Sequence, residues 1–386
     1  MRKTNLLFVI TKLELGGAQK QLLSLISNLD RERFNLFLFT AREGFLLPEA
    51  LSIQGLSVHT SRFLERPVSP IKDIISIFEI CRFIKKNGIE AVHTHSSKAG
   101  ILGRWAARLS GVKSIIHTVH GWSFHYYQSP LFRKFYIWLE RLAAKFTDLI
   151  IVVSERDKER GLANNIAGAQ AYRLVRYGID KNRLEIKDGF IRQELGLRDD
   201  DVVVGSIACL KPQKSPEDFV KLAASINKSF PQVKFLLVGD GKLRSKIEAL
   251  ISQHHLERNI VLTGWRKDIP RLLSAMDIFV LTYLWEGLPI SVLEAMASSL
   301  PVVATDTGGV REVISEGSNG YMVARRDISQ MENRVVGLLK NEELRRRMGA
   351  RGRISIGDDF SVKAMSEKIR DLYQELFLRK EVPHVH

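Results

Sequence analysis

Two glutamates, Glu286 and Glu294, flank a predicted helix start in the sequence Glu-Gly-Leu-Pro-Ile-Ser-Val-Leu-Glu. Pro289 suits the first helical position, where no amide hydrogen is needed. Glu286 then precedes the helix, and Glu294 lies inside it, about 7.5 Å along the axis from Pro289. That separation is unsuited to two carboxylates that share one proton. It suits two contacts with one elongated ligand.

The start of this helix predicts an anion between the glutamates. The amides of Leu288, Ile290 and Ser291 lack helical acceptors, and together with the helix dipole they favour phosphate. A ligand with hydroxyls at both ends and phosphate between them has the shape of a nucleotide-sugar. Alternatively, Glu286 only favours a helix N-terminus and Glu294 points to solvent. The apolar residues around Glu294 argue against this, because an unpartnered buried carboxylate is costly.

Size and composition indicate a globular protein of two or three domains. The chain has 386 residues, of which 45% are hydrophobic and 26% charged. No apolar run reaches the roughly 18 residues of a membrane span, and Leu6–Ile10 suits a first strand better than a signal peptide. Cys81 and Cys209 are isolated, as is typical of the reducing cytoplasm. We therefore expect a cytoplasmic protein.

Positive charge is concentrated in the first half of the chain. The net charge is +15; residues 1–185 hold 28 Lys and Arg against 16 Asp and Glu, whereas residues 186–386 hold 30 against 27. This asymmetry predicts an anionic partner for the first half: an acidic lipid surface, a diphosphate-bearing acceptor or nucleic acid. A generally basic proteome would give the same composition.

Short apolar strands alternate with amphipathic helical stretches in both halves. This pattern predicts an α/β fold of two doubly wound, Rossmann-like domains with parallel sheets, joined within residues 177–201. Ligands of such sheets bind at the carboxyl ends of the strands, here in the cleft between the domains. The predicted strands are Leu6–Thr11, Phe34–Thr40, Leu56–Thr60, Ala91–His95, Ser114–Val119, Leu149–Val153, Val202–Cys209, Val233–Val238, Ile260–Thr263, Ile278–Thr282 and Val302–Ala304.

Four histidines lie at the ends of two neighbouring predicted strands: His93, His95, His117 and His120. No carboxylate or cysteine accompanies them at metal-binding spacing, so we expect no metal here. A hydrogen-bonding or electrostatic role toward a ligand fits strand ends better. Packing in the core remains open for His93 and His117.

An aromatic stretch interleaved with cations occupies residues 122–138. Amphipathic aromatics with Arg133 and Lys134 suit a membrane interface. Alternatively, Phe135, Trp138 and Leu142 pack into the core. Stacking on nucleic acid is less consistent with the rest of the chain, and we expect no nucleic-acid partner. The aromatic residues are Trp122, Phe124, Tyr126, Tyr127, Phe132, Phe135, Tyr136 and Trp138.

Several loops at predicted strand ends could surround a diphosphate. Lys211 and Lys214 follow the first strand of the second half, where they could neutralise phosphate. Gly16-Gly17 follows the first strand of the chain, and a backbone without side chains can approach phosphate closely. Each feature alone is also compatible with an ordinary turn. Similar glycine turns follow other strands at Gly239-Asp240-Gly241, Gly264-Trp265 and Gly308-Gly309.

Over nearly its whole length the chain resembles the retaining glycosyltransferases of family four, which have the GT-B fold. The signature is Glu286 and Glu294 separated by seven residues in the context Glu-Gly-Leu-Pro, supported by the glycine turns, Lys214 and Tyr177-Gly178-Ile179-Asp180. The histidine stretches resemble a subgroup that builds bacterial surface polysaccharides, including lipopolysaccharide, on lipid carriers. The implied domains are residues 1–185 for the acceptor, 186–360 for the nucleotide-sugar, and a helix at 361–386 that returns to the first domain.

The resemblance implies roles for individual residues. Glu286 would hold hydroxyls of the transferred sugar and Glu294 the ribose hydroxyls. His120 would contact the donor sugar from the first domain, so that Glu286 and His120 are the catalytic candidates. Arg266 would lie beside the nucleobase, largely through its backbone. Residues expected to bind the rest of the donor are Gly16, Gly17, Lys211, Lys214, Gly239, Gly264, Gly287 and Leu288, and those expected on the acceptor side are His93, His95 and Lys98.

Two positions depart from the family pattern. Cys209 stands where an arginine usually helps to bind the diphosphate, and Lys211 would supply part of the missing charge. Gln19 replaces a usual glutamate.

The predicted reaction is transfer from a nucleoside diphosphate sugar, UDP-linked in our expectation, with retention and without metal or cofactor. The acceptor would be lipid-linked or a saccharide, and the enzyme would attach peripherally to the anionic inner face of the plasma membrane. The alternatives are a UDP-sugar epimerase of the same architecture and a non-catalytic nucleotide-sugar-binding scaffold subunit.

Overall fold

The computed structural model describes residues 2–186 and 188–381, which form two α/β units. Of the described residues, the first unit comprises 2–178 and 362–381, and the second comprises 179–186 and 188–361. The chain thus leaves the first unit after Gly178, earlier than the boundary predicted after residue 185. Gln21 accounts for this, because its side-chain amide bonds both the carbonyl (2.7 Å) and the amide (2.9 Å) of Gly178. Beyond this point, Ile179 donates its amide to Phe360 of the second unit.

A seven-stranded parallel sheet forms the centre of the first unit. Its strand order is β3-β2-β1-β4-β5-β6-β7. The first strand buries Leu6, Leu7, Phe8 and Val9 completely, as expected of a strand covered on both faces. The strands are β1 Thr4–Val9, β2 Phe34–Ala41, β3 Leu56–Ser61, β4 Ala91–His95, β5 Ser114–Val119, β6 Leu149–Val152 and β7 Tyr172–Leu174.

A six-stranded parallel sheet forms the centre of the second unit, in the order β10-β9-β8-β11-β12-β13. Together the two sheets confirm the predicted pair of Rossmann-like domains. The strands are β8 Val203–Ile207, β9 Lys234–Val238, β10 Ile260–Leu262, β11 Ile278–Leu281, β12 Val302–Thr305 and β13 Gly320–Val323.

Two edge strands, β7 and β13, are absent from the sequence prediction. They have three and four residues, and each pairs with one neighbour only. Such short segments carry too little apolar periodicity to stand out from a loop.

Helices cover both sheets. Among the described residues, no helix combines the length and hydropathy that a membrane crossing requires. The helices are α1 Gly17–Asn28, α2 Leu47–Ser52, α3 Pro70–Lys86, α4 Ser97–Leu109, α5 Pro130–Ala144, α6 Glu155–Ala163, α7 Ile191–Glu194, α8 Pro216–Asn227, α9 Arg244–Gln253, α10 Ile269–Ser274, α11 Ile290–Ala297, α12 Ile328–Leu339, α13 Glu342–Ser355 and α14 Val362–Glu381.

The C-terminal helix α14 belongs to the core of the first unit. Met365, Ile369 and Tyr373 lie in one buried cluster with Leu6 and Phe8 of β1. The chain therefore returns to its first unit after completing the second.

Helix α11 begins one residue later than predicted. Pro289 has φ −74° and ψ 112°, so it is an extended cap residue and Ile290 is the first helical residue. Glu286 lies in the loop before the helix and Glu294 within it.

Candidate active site

Adjacent strands bring Lys214 and Glu286 together in the second unit. Strands β8 and β11 pair in parallel, so the loops that follow them leave the same edge of the sheet. Several hydrogen bonds join these loops. Gln213 accepts from the Leu284 amide at 2.9 Å and donates its side chain to the Trp285 carbonyl at 2.9 Å.

Lys214 and Glu286 form an ion pair between Nζ and Oε2, in which both side chains remain slightly exposed, at 13% and 16%. The ammonium also lies 3.7 Å from the centre of the Tyr283 ring. Burial lowers the pKa of the Lys214 amine, but the neighbouring Glu286 carboxylate and Tyr283 outweigh it, and the net effect raises the pKa. Lys214 is therefore a fixed positive charge at a strand end.

The segment after Glu286 provides amides for an anion. Among residues 2–186 and 188–381, no backbone carbonyl accepts from the amides of Leu288, Ile290 or Ser291. They precede or begin α11, where the helix dipole favours negative charge. Glu294 lies farther along the helix and is half-buried. The geometry thus combines an ammonium, free amides and two carboxylates in one stretch of the second unit.

Gly308 fixes the backbone beside Glu286. Its φ is +53°, and a Cβ there would lie 2.0 Å from the Gly287 carbonyl oxygen and 2.4 Å from that of Glu286. The adjacent Gly309 amide donates to the Gly287 carbonyl at 2.6 Å. Glycine is therefore required for the approach of the β12 loop to the Glu286 loop.

Other predicted donor residues lie at neighbouring strand ends of the second unit. Gly239 has φ +129°, and a Cβ there would lie 2.1 Å from the Ala208 carbonyl oxygen. Its amide donates to Gly264 at 3.0 Å. Lys211 is half-buried in the loop after β8.

The Arg266 side chain is occupied within the second unit. Its guanidinium bonds Asp268 at 2.6 and 2.8 Å and pairs with Glu194 at 2.7 Å. The hydrogen bonds that it donates to these carboxylates raise the Arg266 pKa above the ordinary arginine value. Only the backbone of Arg266 is therefore available for the predicted contact with a nucleobase.

Gly16 and Gly17 lie in the first unit, at the start of α1. Gly16 is the cap residue with an extended φ of −147°, and a Cβ there would meet only the flexible Gln19 side chain. The backbone conformation therefore does not require glycine at this position.

The strand-end histidines of the first unit form hydrogen-bonded pairs. His95 Nδ1 lies 2.9 Å from His120 Nε2, and His120 Nδ1 lies 2.7 Å from the Tyr177 hydroxyl. Burial lowers the pKa of His120 to about 3, so the ring is neutral at pH 7. Both nitrogens of His120 are engaged, and the predicted contact with a donor sugar requires one of these bonds to open.

His93 and His117 also bond within the first unit. His93 contacts the Tyr373 hydroxyl at 2.5 Å and Thr118 at 2.7 Å, while His117 contacts Thr94 at 2.9 Å. Burial and the nearby His120 lower the pKa of His93 to about 3. These two histidines are packed in the core, which was the alternative left open by the sequence.

Lys98 has a structural partner. It forms an ion pair with Asp73 of α3 and donates to the Pro67 carbonyl at 2.5 Å. Its ammonium thus holds the loop before α3 against the first turn of α4.

No group of three or more His, Cys, Asp or Glu side chains in the described ranges is arranged to hold a metal ion. Within the described chain, His95 Nδ1 bonds to His120, and His93, His117 and His120 bond to hydroxyls, whereas the buried His95 Nε2 has no hydrogen-bond partner.

Three tyrosines contact the candidate site residues but were not predicted to do so from the sequence. Tyr283 contacts Lys214, Tyr177 contacts His120 and Tyr373 contacts His93. Tyr177 was quoted only as part of a motif. The partners of all three tyrosines are distant in the sequence, so local patterns do not reveal these contacts. The Tyr-Gly-Ile-Asp motif, which includes Tyr177, was the one signal in the sequence that pointed to any of them.

The aromatic stretch divides into a buried and an exposed part. Trp122 and Phe124 are buried, but Phe132, Phe135 and Trp138 of α5 are 62%, 48% and 53% exposed. The core-packing alternative is therefore wrong for Phe135 and Trp138, whereas Leu142 is half-buried.

The family models match both halves of the chain. The model described as Glycosyltransferase Family 4 matches residues 15–183, and the model described as Glycosyl transferases group 1 matches residues 187–355.

Two curated relatives come from Escherichia coli. One is a UDP-Gal:alpha-D-GlcNAc-diphosphoundecaprenol alpha-1,3-galactosyltransferase, 33% identical to this chain over 95% of each protein. The other is the O-antigen biosynthesis glycosyltransferase WbnH, 30% identical over 83% of this chain and 86% of the relative.

A solved structure has the same fold. Anabaena Alr3699/HepE in complex with UDP and glucose has a TM-score of 0.83 and 20% identity, covering 96% of this chain and 99% of that one.

Proposed function

This chain belongs to the family 4 glycosyltransferases with the GT-B fold, and from that membership we propose that it transfers a sugar from UDP-sugar to a lipid-linked acceptor with retention. The observation that carries the proposal is the arrangement in the second unit. Lys214 and Glu286 form an ion pair beside the free amides of Leu288, Ile290 and Ser291.

Each part of this arrangement suits one part of the donor. Lys214, the free amides and Lys211 stabilise the diphosphate, with Gly239 and Gly264 leaving room for it. Glu286 accepts hydrogen bonds from the sugar hydroxyls, and Glu294 from the ribose. Glycine at 308 holds the Glu286 backbone in place.

In the proposed reaction, the bond between the anomeric carbon and the diphosphate oxygen breaks while charge develops on the leaving diphosphate. Lys214 and the amides stabilise that charge. An acceptor hydroxyl attacks the same face of the sugar, and its proton passes to the leaving diphosphate. The bond that forms is glycosidic, the products are glycoside and UDP, and no enzyme nucleophile is used.

The proposed acceptor and location follow from the relatives. The first Escherichia coli relative is named for a diphosphoundecaprenol-linked acceptor, and the second for O-antigen biosynthesis. We place this chain in bacterial surface polysaccharide synthesis at the inner face of the plasma membrane.

A thermal-shift panel of nucleotide-sugars tests the donor. The cognate donor at 100 times its Kd should stabilise the protein by about 2.7 kcal/mol. Turnover with that donor and a lipid-diphosphate-linked acceptor should give UDP and an axial glycosidic bond for an α-configured donor, read by NMR coupling. An epimerised sugar formed without acceptor, or UDP binding without any turnover, would contradict the proposal.

The proposed independence of turnover from metal ions is tested by adding a chelator. Since Lys214 and the amides supply the countercharge, the rate should be unchanged by chelator. Activity that disappears with EDTA and returns with manganese would refute this part.

Exposed aromatics of α5 support peripheral membrane attachment. Phe132 and Trp138 lie on the same helix as Arg133 and Lys134, so apolar and cationic side chains can meet an anionic lipid surface together. The double variant Phe132→Ser/Trp138→Ser should reduce co-sedimentation with phosphatidylglycerol vesicles at low salt. Equal sedimentation of parent and variant would exclude this surface.

A further inference from the structure

Three cations follow three neighbouring strands of the first unit. Lys12, Arg42 and Arg62 come after β1, β2 and β3, which are adjacent in the sheet. The ladder continues to the ends of these strands, because Ala41 donates to Thr11 and Arg42 donates to Ser61. The backbones at these cations are therefore side by side, at the roughly 4.8 Å spacing of adjacent strands.

The two arginines of this row have no acidic partner in the described part of the chain. In residues 2–186 and 188–381, no carboxylate forms an ion pair with Arg42 or Arg62, and both residues are exposed. Arg62 instead lies over the Phe63 ring, with Cζ 4.9 Å from its centre. Lys12 has a weak partner, since Glu43 is 3.4 Å away and 86% exposed. Guanidinium groups that lack partners are suited to bidentate phosphate binding.

An apolar surface begins beside these arginines. The loop after Arg62 leads into α3; Val68 at the end of this loop and Ile71, Ile74 and Phe78 of α3 are all more than half exposed. Ile71, Ile74 and Phe78 have the spacing of a single helix face. Four exposed apolar side chains in one short region form a patch that a soluble surface rarely shows without a function.

The loop between the cations and the apolar face is held in place. Ser61 accepts from the amides of Phe63 and Leu64 at 3.0 and 3.2 Å, and Lys98 donates to the Pro67 carbonyl. The Lys98 ammonium, which also pairs with Asp73, thus positions this loop. A fixed loop keeps the position of the arginines relative to α3 constant.

We propose that this region is the lipid-diphosphate site of the acceptor. Arg42 and Arg62, with Lys12, bind the diphosphate, and the exposed face of α3 covers the first part of the hydrocarbon chain. The ligand class follows from the two surfaces together. Paired guanidinium groups suit a diphosphate, and the exposed apolar face of α3 beside them suits the hydrocarbon chain of the same amphiphile. The inference rests on the proposed function for its choice of a lipid diphosphate over an acidic peptide.

Binding of farnesyl diphosphate, measured by calorimetry at about 0.15 M salt with saturating UDP present, tests the site. The double variant Arg42→Ala/Arg62→Ala should bind at least tenfold more weakly, since each phosphate contact by a charged group is worth about a tenfold change or more. Arg347→Ala/Arg351→Ala is the matched control, because these arginines of α13 are also exposed and lack ion pairs in the described chain. An equal loss in both variants, or no loss, would overturn the proposal.

The apolar half needs a separate variant. Ile74→Ser/Phe78→Ser should weaken farnesyl diphosphate binding severalfold and leave inorganic diphosphate binding unchanged. If Arg42→Ala/Arg62→Ala weakens vesicle binding but not farnesyl diphosphate binding, the three cations contact a bilayer surface. That result would refute the acceptor site.

Thermal stabilisation by UDP distinguishes a failure of the proposed function from a failure of the proposed acceptor site. The Arg42→Ala/Arg62→Ala variant should keep the parent's UDP-induced thermal shift, which also shows that it is folded. If the parent itself gains no stability from any nucleotide-sugar, the proposed function fails. If UDP stabilises both proteins but farnesyl diphosphate binds them equally, only the acceptor site fails.

Discussion

Each unit contains a close ion pair, and the two pairs differ in their access to solvent. Arg104 and Glu140 of the first unit are joined at 2.6 Å with side chains 0% and 3% exposed. Lys214 and Glu286 of the second unit retain 13% and 16% exposure at a strand end. The enclosed pair connects α4 to α5 and can serve only the fold. The accessible pair lies where a ligand can reach it, so its charges are available for binding.

The enclosed pair should give the largest effect on stability. Arg104→Ala leaves the Glu140 carboxylate buried without its partner, and we expect a loss of about 3–5 kcal/mol in the free energy of unfolding. The double variant Arg104→Met/Glu140→Leu should recover most of it. Urea unfolding provides the measurement. Lys380→Ala, which removes the exposed Lys380–Asp148 pair, should cost less than about 1 kcal/mol.

The accessible pair should instead control turnover. Glu286→Ala and Lys214→Ala should each lower kcat by about 10²–10³, because each removes a group that we place on the sugar or the diphosphate. Steady-state kinetics with the cognate donor measures this. Lys242→Ala, at an exposed lysine of the same unit, should retain the parent rate. Near-normal turnover in Glu286→Ala would remove Glu286 from the mechanism.

The backbone beside the accessible pair should respond to a single methyl group. Gly308→Ala combines a positive φ with a Cβ only 2.0 Å from the Gly287 carbonyl oxygen, so we expect a stability loss of about 2–4 kcal/mol and reduced turnover. Gly317→Ala is the matched control. It has φ +73° but open space around the new Cβ, so it should cost only about 1 kcal/mol and leave turnover intact.

Acid should affect the first unit through its histidines. The buried rings of His93 and His120 have a pKa of about 3, below the 6.5 of an exposed histidine, so the unfolded chain binds protons first. Above pH 6.5 both rings are neutral in the folded and in the unfolded chain, so they do not make the free energy of unfolding depend on pH. As the pH falls below 6.5, each of the two buried histidines should lower the free energy of unfolding by about 1.4 kcal/mol per pH unit, until about pH 3. His93→Gln should reduce the slope of the unfolding free energy against pH between pH 6 and 4, relative to the parent protein.

The sequence was sufficient for the repeated strand–helix pattern and for the position of the glutamates, because both depend on local periodicity. The partners of the candidate residues were not predictable. His93 bonds Tyr373, which is 280 residues away, and Lys214 meets Glu286 only because β8 and β11 are neighbours in the sheet. Lys98 shows the same limitation in reverse. The family resemblance suggested an acceptor contact for Lys98, and the structure adds an ion pair with Asp73 that its place in the sequence does not reveal.

Helix α14 has a consequence for how the protein is made. Residues 2–178 leave the ribosome before helix α14, yet their core lacks Met365, Ile369 and Tyr373 until that helix has been synthesised. The second unit, which is continuous from 179 to 361, contains all of its own strands before that moment. The unit that is translated first is therefore the one that is completed last, and a nascent chain stalled before residue 362 would expose an unfinished apolar surface to chaperones and proteases.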